Sequence, residues 1–181
     1  ARESYPLSYA QLRMYLLSQI DAGGTGYNMP RVIPLGAGLD IQKAQQVFQD
    51  LIRRHESLRT SFHTIENTPV QAVHDAGTID FQVEMADLSQ TTGAETVHKA
   101  IKETVRAFTR PFDLSMAPLL RAGIITLPDR THLLMVDMHH IISDQSSVQL
   151  LTREFTALYR GVQLPPNRIQ YKDYAVWQQA P

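Results

Sequence analysis

The strongest constraint on the fold of this chain lies between residues 131 and 159. THLLMVDM at 131–138 is mostly apolar and rich in large side chains, the composition of a buried strand. Residues 148–159 place apolar groups at helical spacing. Between the two stands Met138-His139-His140-Ile141-Ile142-Ser143-Asp144-Gln145-Ser146-Ser147. Two adjacent imidazoles and a carboxylate therefore fall on a strand-to-helix connection. A loop held by rigid elements at both ends is a common carrier of catalytic groups.

Adjacent residues on an extended backbone point to opposite sides, so one imidazole can face solvent while the other packs inward. Asp144 follows His140 by four residues, within reach once the chain turns into the helix. Spacing alone leaves three readings open. In the plainest, both histidines are satisfied polar groups at a strand end and Asp144 caps the helix. A metal reading adds His132 and Asp137, although neither the separations nor the context match a zinc signature. In the third, His139 and Asp144 form an H-x4-D pair like that of glycerolipid acyltransferases, with the histidine as base for a hydroxyl nucleophile.

A length of 181 residues suffices for one substantial domain with its own core. Lys and Arg number 17 against 18 Asp and Glu, a net charge of -1, so nothing points to nucleic acid or an anionic membrane. No apolar run approaches the roughly 18 residues that cross a bilayer. The opening residues 1–6 lack the apolar stretch of a signal peptide. The absence of cysteine excludes disulfides, thiolate metal sites and a cysteine nucleophile. A soluble, cytoplasmic protein is the expectation.

Elsewhere the patterning predicts a short helix over 7–17 with Ser8 as N-cap, then an extended segment from Tyr27 towards Leu35. A helix capped by Asp40 runs to Arg54, with Ile41, Ala44, Val47, Phe48, Leu51 and Ile52 as its apolar stripe. Strands are expected at 62–65, 69–74 and 79–86, and a second amphipathic helix over 93–108. Segments 119–127 and 131–138 read as a hairpin about Pro128-Asp129-Arg130. Pro165 and Pro166 mark a linker before the closing segment 169–178. Helices and strands interleave without the rhythm of a doubly wound sheet, which implies an α+β or mixed-sheet α/β layer.

Four stretches, in order, resemble one family, the condensation domains of nonribosomal peptide synthetases. Ser8-Tyr9-Ala10-Gln11-Leu12-Arg13-Met14-Tyr15 resembles S-x-A-Q-x-R-x-W/Y, and Arg54-His55-Glu56-Ser57-Leu58-Arg59-Thr60-Ser61-Phe62 resembles R-H-E-x-L-R-T-x-F. Met138 to Asp144 is similar to M-H-H-x-x-x-D, and Tyr171-Lys172-Asp173-Tyr174-Ala175-Val176-Trp177 to Y-x-D-[FY]-A-x-W. Pro111-Phe112-Asp113-Leu114 is also family-like. The acyltransferase reading explains one of these stretches alone.

The resemblance implies a chloramphenicol-acetyltransferase-like lobe, the N-terminal half of a two-lobed domain. Residues 1–164 would form that lobe, and 165–181 the crossover linker towards a C-terminal lobe whose motifs this sequence lacks. It implies peptide-bond formation between an upstream acyl or peptidyl thioester and a downstream aminoacyl thioester. Both ride on phosphopantetheine arms of donor and acceptor peptidyl carrier proteins, and no cofactor is bound directly. An adenylation domain would be a neighbour. His140 becomes the candidate catalytic group, accepting a proton from the amine or hydrogen-bonding it. His139 packs in support, and Asp144 is assigned to a structural ion pair with Arg59. Gln145 and Ser146 would lie on the substrate channel. Gln145 departs from the family, which carries glycine after the aspartate. An epimerisation domain of the same fold, or a non-catalytic carrier-docking lobe, are the alternatives.

Overall fold

The computed structural model describes residues 3–20 and 23–180. Ala1 and Arg2, part of the opening stretch read for a leader, and Pro181 lie outside them. Two sheets divide the strands. β1 (Glu3–Pro6), β4 (Thr68–Val73) and β3 (Thr60–Ile65) form an antiparallel sheet in the order β1-β4-β3. β2 (Arg31–Leu35), β7 (His132–Met138), β6 (Leu120–Thr126) and β5 (Glu84–Asp87) form a mixed sheet in the order β2-β7-β6-β5, with β5 parallel to β6. The expected α+β mixed-sheet class is what the chain adopts.

The β6–β7 hairpin is the centre of the second sheet, paired from Leu120↔Met138 to Thr126↔His132. Its turn works as the sequence suggests. Asp129 accepts from the Thr131 amide at 3.0 Å and its hydroxyl at 2.6 Å, while Arg130 takes a left-handed φ of 66°. Side chains alternate across β7, so Leu134, Val136 and Met138 share one face, Met135 and Asp137 the other. On the second face pack Phe108, Ile101 and Val105 of α3 (Ala94–Phe108). The main core lies on the first, formed with α2 (Ile41–Arg54) and α4 (Gln145–Tyr159).

α2 starts as expected, with Asp40 accepting from the Lys43 amide at 3.0 Å, and buries Ala44, Val47, Phe48, Leu51 and Ile52. Ser8 caps α1 (Tyr9–Ile20) reciprocally, its hydroxyl taking the Gln11 amide while Gln11 Oε1 takes the Ser8 amide. The expected strand over 79–86 shrinks to β5. Its apolar alternation is used for burial: Phe81 is 5% exposed and lies 5.6 Å from the Phe48 ring. The Gln45 side chain replaces the missing strand partner, donating to Phe81 O and accepting from Val83 N, both at 2.7 Å.

α5 (Tyr171–Gln179) docks on the N-terminal segment, and through it the first, second and last family-like stretches lock together. Tyr171 hydroxyl meets Ser8 Oγ at 2.9 Å, and Gln178 and Gln179 bond the Tyr9 amide and the Leu7 carbonyl. Lys172 reaches Glu56 at 2.9 Å. Among the described residues no helix is long and apolar enough to cross a membrane.

Candidate active site

The histidine turn is held by backbone bonds on both sides. His139 N donates to Leu119 O at 3.1 Å, His140 N to Tyr27 O at 2.8 Å, and Met29 N to Met138 O at 2.8 Å. Asn28 and His139 form a bridge, so residues 27–29 extend the pairing of β2 with β7 up to the turn. Ile141 and Ile142 are buried and anchor the far side.

The two imidazoles have opposite hydrogen-bond assignments, fixed by what their Nδ1 atoms meet. His139 Nδ1 accepts from the Ile141 amide at 3.0 Å, so its proton in the neutral ring is on Nε2. His140 Nδ1 lies 2.7 Å from Ser143 O. A carbonyl only accepts, so this Nδ1 carries the proton and Nε2 holds the free lone pair. His139 is 6% exposed, between Tyr27 and the edge of Phe112. Burial, with the neighbouring His140 as a lesser cause, pushes its pKa down to about 4, so it is neutral at neutral pH. His140 is exposed, and among the described residues no hydroxyl bonds its ring.

Asp137, on the opposite face of β7 from Met138, is fully buried. Burial pushes its carboxyl upward, opposed by the hydrogen bond from Asn28 at 2.6 Å and by Arg121 at 3.2 Å. Arg121 in turn lies 3.7 Å above the Phe112 ring whose edge meets His139. The metal grouping with His132 is not formed, since the His132 ring faces Thr126 Oγ1 and no cluster of metal ligands occurs among the described residues.

The structure corrects the expected pairing of Asp144 with Arg59. Asp144 is the N-cap of α4, its Oδ1 accepting from the Ser147 amide and hydroxyl at 2.7 Å each. These bonds hold its carboxyl below the usual range. Arg59 lies on the 3₁₀ turn Glu56–Arg59, where one turn of chain brings it 3.6 Å from Glu56, and it also donates to His74 O. A carboxylate on its own turn and a carbonyl on the next strand have taken the guanidinium. Gln145 and Ser146 are exposed in the first turn of α4, and Gln145 Oε1 accepts from Arg31 Nη2 at 3.2 Å.

The cation that grips α4 is the half-buried Arg54. It grips Glu154 through Nε at 3.0 Å and Nη2 at 3.1 Å, and His55 Nε2 adds a bond of 2.5 Å. Burial alone would raise the Glu154 pKa, but Arg54 and His55 outweigh it and the net shift is down. Sequence reasoning missed this clasp. The signal was a carboxylate at 154 inside the apolar stripe Leu151, Phe155 and Leu158.

The site thus presents a solvent-facing imidazole on a strand-to-helix turn, oriented by a carbonyl. Comparison with known proteins gives the family. The model of the Condensation domain matches residues 1–181, and the chain belongs to the condensation-domain family. It is 52% identical over 181 residues to a plipastatin synthase chain of Bacillus subtilis (strain 168), covering 98% of this chain and 5% of that protein. To tyrocidine synthase 3 of Brevibacillus parabrevis it is 47% identical over 178 residues, covering 98% of this chain and 3% of that protein. The chain thus spans a small part of these curated relatives. Among solved structures, the first condensation domain of the calcium-dependent antibiotic synthetase superimposes with a TM-score of 0.81 at 22% identity, over 97% of this chain and 44% of that one. The condensation domain of the Monacolin K polyketide synthase MokA gives 0.80 at 22%, over 98% and 39%.

Proposed function

We propose that this chain is the histidine-bearing lobe of a domain that joins a carrier-bound acyl or peptidyl thioester to the α-amine of a carrier-bound aminoacyl thioester. The observation that carries the reading is His140, whose Nδ1–H is committed to Ser143 O, leaving an exposed Nε2 lone pair. Family membership supports the substrate class. An α-amine with pKa near 7.7–8.0 is roughly 10–20% neutral at pH 7, so freeing it costs only about 1 kcal/mol. A strong base is unnecessary for that step.

The nitrogen lone pair attacks the thioester carbonyl, a C–N bond forms and the C–S bond breaks. The excess proton on nitrogen passes to His140 Nε2, and the departing pantetheine thiolate takes one up. His139 keeps the turn in place as a neutral packed ring, and Asp144 supports it by starting α4. Residues 1–164 act as the N-terminal lobe and 165–181 as the crossover. The partners are donor and acceptor carrier proteins with their phosphopantetheine arms, a C-terminal lobe and an adenylation domain, in the cytoplasm. Gln145 and Ser146 border the substrate path.

The test is single-turnover condensation by the intact two-lobed domain with both carriers loaded, wild type against His140→Ala. Product from the wild type and its loss in the variant is the expected result. Product at wild-type rate in the variant removes His140 from the chemistry. Exchange of the α-proton with solvent, without peptide, identifies an epimerisation domain instead.

A further inference from the structure

Below the histidine turn, on the face of β7 that α3 covers, one buried carboxylate ties the chain on both sides of its strand. Asp137 stands opposite Arg121 of β6 and is fully buried. Its Oδ2 accepts from Arg121 Nη1 at 3.2 Å on one side and from Asn28 Nδ2 at 2.6 Å on the other. Arg121 continues outward to the Arg110 and Pro111 carbonyls at 2.6 and 2.7 Å, and the Asn28 amide also reaches Arg110 O at 2.8 Å. A tie of Asn28, Asp137 and Arg121 thus crosses the sheet two residues before His139.

Segment 27–29 is where this tie meets the turn. Tyr27 O accepts from the His140 amide at 2.8 Å, and Met29 N donates to Met138 O at 2.8 Å. Met29 Sδ accepts at 3.6 Å from the hydroxyl of Ser143, the residue whose carbonyl holds His140 Nδ1. Asn28 stands between them, bridged to His139. Upstream support is slight: residues 23–26 are exposed, three of the four are glycine, and Gly23 takes a left-handed φ of 92°. The Asn28 side chain fastens this segment to the body of the sheet.

A stability role explains the cluster poorly. Oδ1 of Asp137 and Oδ1 of Asn28 are both buried and meet no hydrogen-bond donor among the described residues. A buried charge pair left partly unsatisfied adds little to stability, and apolar side chains of similar volume often do as well or better. What the carboxylate supplies is direction, a short charge-assisted bond that fixes where Asn28 sits. Resting on the condensation reading above, we infer that Asp137 and Asn28 are positioning residues for His140. They hold segment 27–29 so that the turn keeps Nδ1–H on Ser143 O and presents Nε2 to the amine. Neither takes part in the proton transfer.

The experiment uses the intact two-lobed domain, with isotope-labelled histidine for nitrogen NMR at mildly alkaline pH and with both carriers loaded for condensation assays. Comparison with His140→Ala assigns the His140 ring signals, which in the wild type should show a protonated Nδ1 and an unprotonated Nε2. The apolar replacement Asp137→Leu with Arg121→Met should melt at or above the wild-type temperature, yet move these signals towards a tautomer average. Its kcat should fall about tenfold to a hundredfold, with KM for each loaded carrier within about twofold. Asn28→Ala, which leaves the buried pair in place, should show the same signature in weaker form. Asp137→Asn, which keeps an acceptor for Asn28, should restore part of the rate and of the tautomer. Wild-type tautomer and rate in Asn28→Ala and in the double variant overturn the inference. A rate that falls only in step with melting temperature, with the His140 signals unchanged, overturns it too. Absence of peptide from the wild type overturns the condensation reading instead, and the His140 signals then still decide whether this tie places the ring.

Discussion

At the scale of single residues, the two neighbouring histidines divide two tasks that their tautomers express. Removing the exposed one should cost chemistry: His140→Ala is expected to lower the single-turnover rate by about a hundredfold or more, the usual range for a general base, with the melting temperature little changed. Removing the buried one should change stability against pH. The pKa of His139 falls from 6.5 in the unfolded chain to about 4 in the fold, so the unfolded state binds the proton first. Its contribution is complete above pH 6.5 and is lost as pH falls towards 4, up to about 3 kcal/mol. His139→Asn, which keeps an acceptor for the Ile141 amide, should flatten this part of the profile in denaturant titrations at pH 7 and 5. Asp144→Ala distinguishes a cap from a buried ion pair. Loss of the observed cap predicts about 1 kcal/mol in urea unfolding, whereas breaking a buried pair would take about 3–5.

At the scale of elements, α4 presents the site at its first turn and is tied down at its third. Glu154 is 8% exposed, and the Arg54 fork and His55 close on it from the end of α2. Nearby, Phe155 lies 5.0 Å from Phe48, so charge and aromatic packing fix the same pair of helices. Glu154→Ala should destabilise the fold by about 3–5 kcal/mol, because it leaves the largely buried Arg54 guanidinium without its carboxylate. Glu154→Gln should recover part of this, since one acceptor and the shape remain. The carboxylate's lowered pKa gives the sign with pH: the clasp is fully formed above its ordinary value of 4.5 and weakens as pH falls below it. Thermal unfolding of wild type and both variants at pH 7 and 4 reads all three expectations. The wild-type advantage should shrink at the lower pH.

At the scale of the whole molecule, the chain has the means to fold, and the proposed reaction asks for more than one such fold. Two hydrophobic clusters share the β6–β7 hairpin, and α5 closes the N-terminal segment through Tyr171, Lys172 and Gln179. This 181-residue lobe should unfold cooperatively in denaturant. His140, by contrast, looks onto solvent, and the proposed reaction between two tethered substrates needs a facing wall to hold them in register. Supplied with both loaded carriers, the lobe alone is expected to give no peptide above background by mass spectrometry. Turnover like that of an intact domain would mean that one lobe carries a complete site.

Periodicity and local chemistry are written in the sequence, and they determined a good deal. The stripes of α2 and α3, the Ser8 and Asp40 caps, the Asp129 turn and the exposed-against-buried contrast of His139 and His140 all follow from interactions spanning a few residues. What spans the fold was decided by the tertiary structure. The Arg54 to Glu154 clasp joins residues 100 apart, and nothing local announced which of the two arginines in that motif would take the buried carboxylate. Arg59 went to Glu56 because a 3₁₀ turn delivers a partner at no further cost in chain entropy, and Asp144 kept its own helix for the same reason. Segment 79–86 reads as a strand by its alternation, yet strand pairing was replaced by a glutamine side chain on α2. The tautomer of His140 depends on a carbonyl three residues ahead, whose position is set by how Ile141 and Ile142 sink into a core assembled from both ends of the chain.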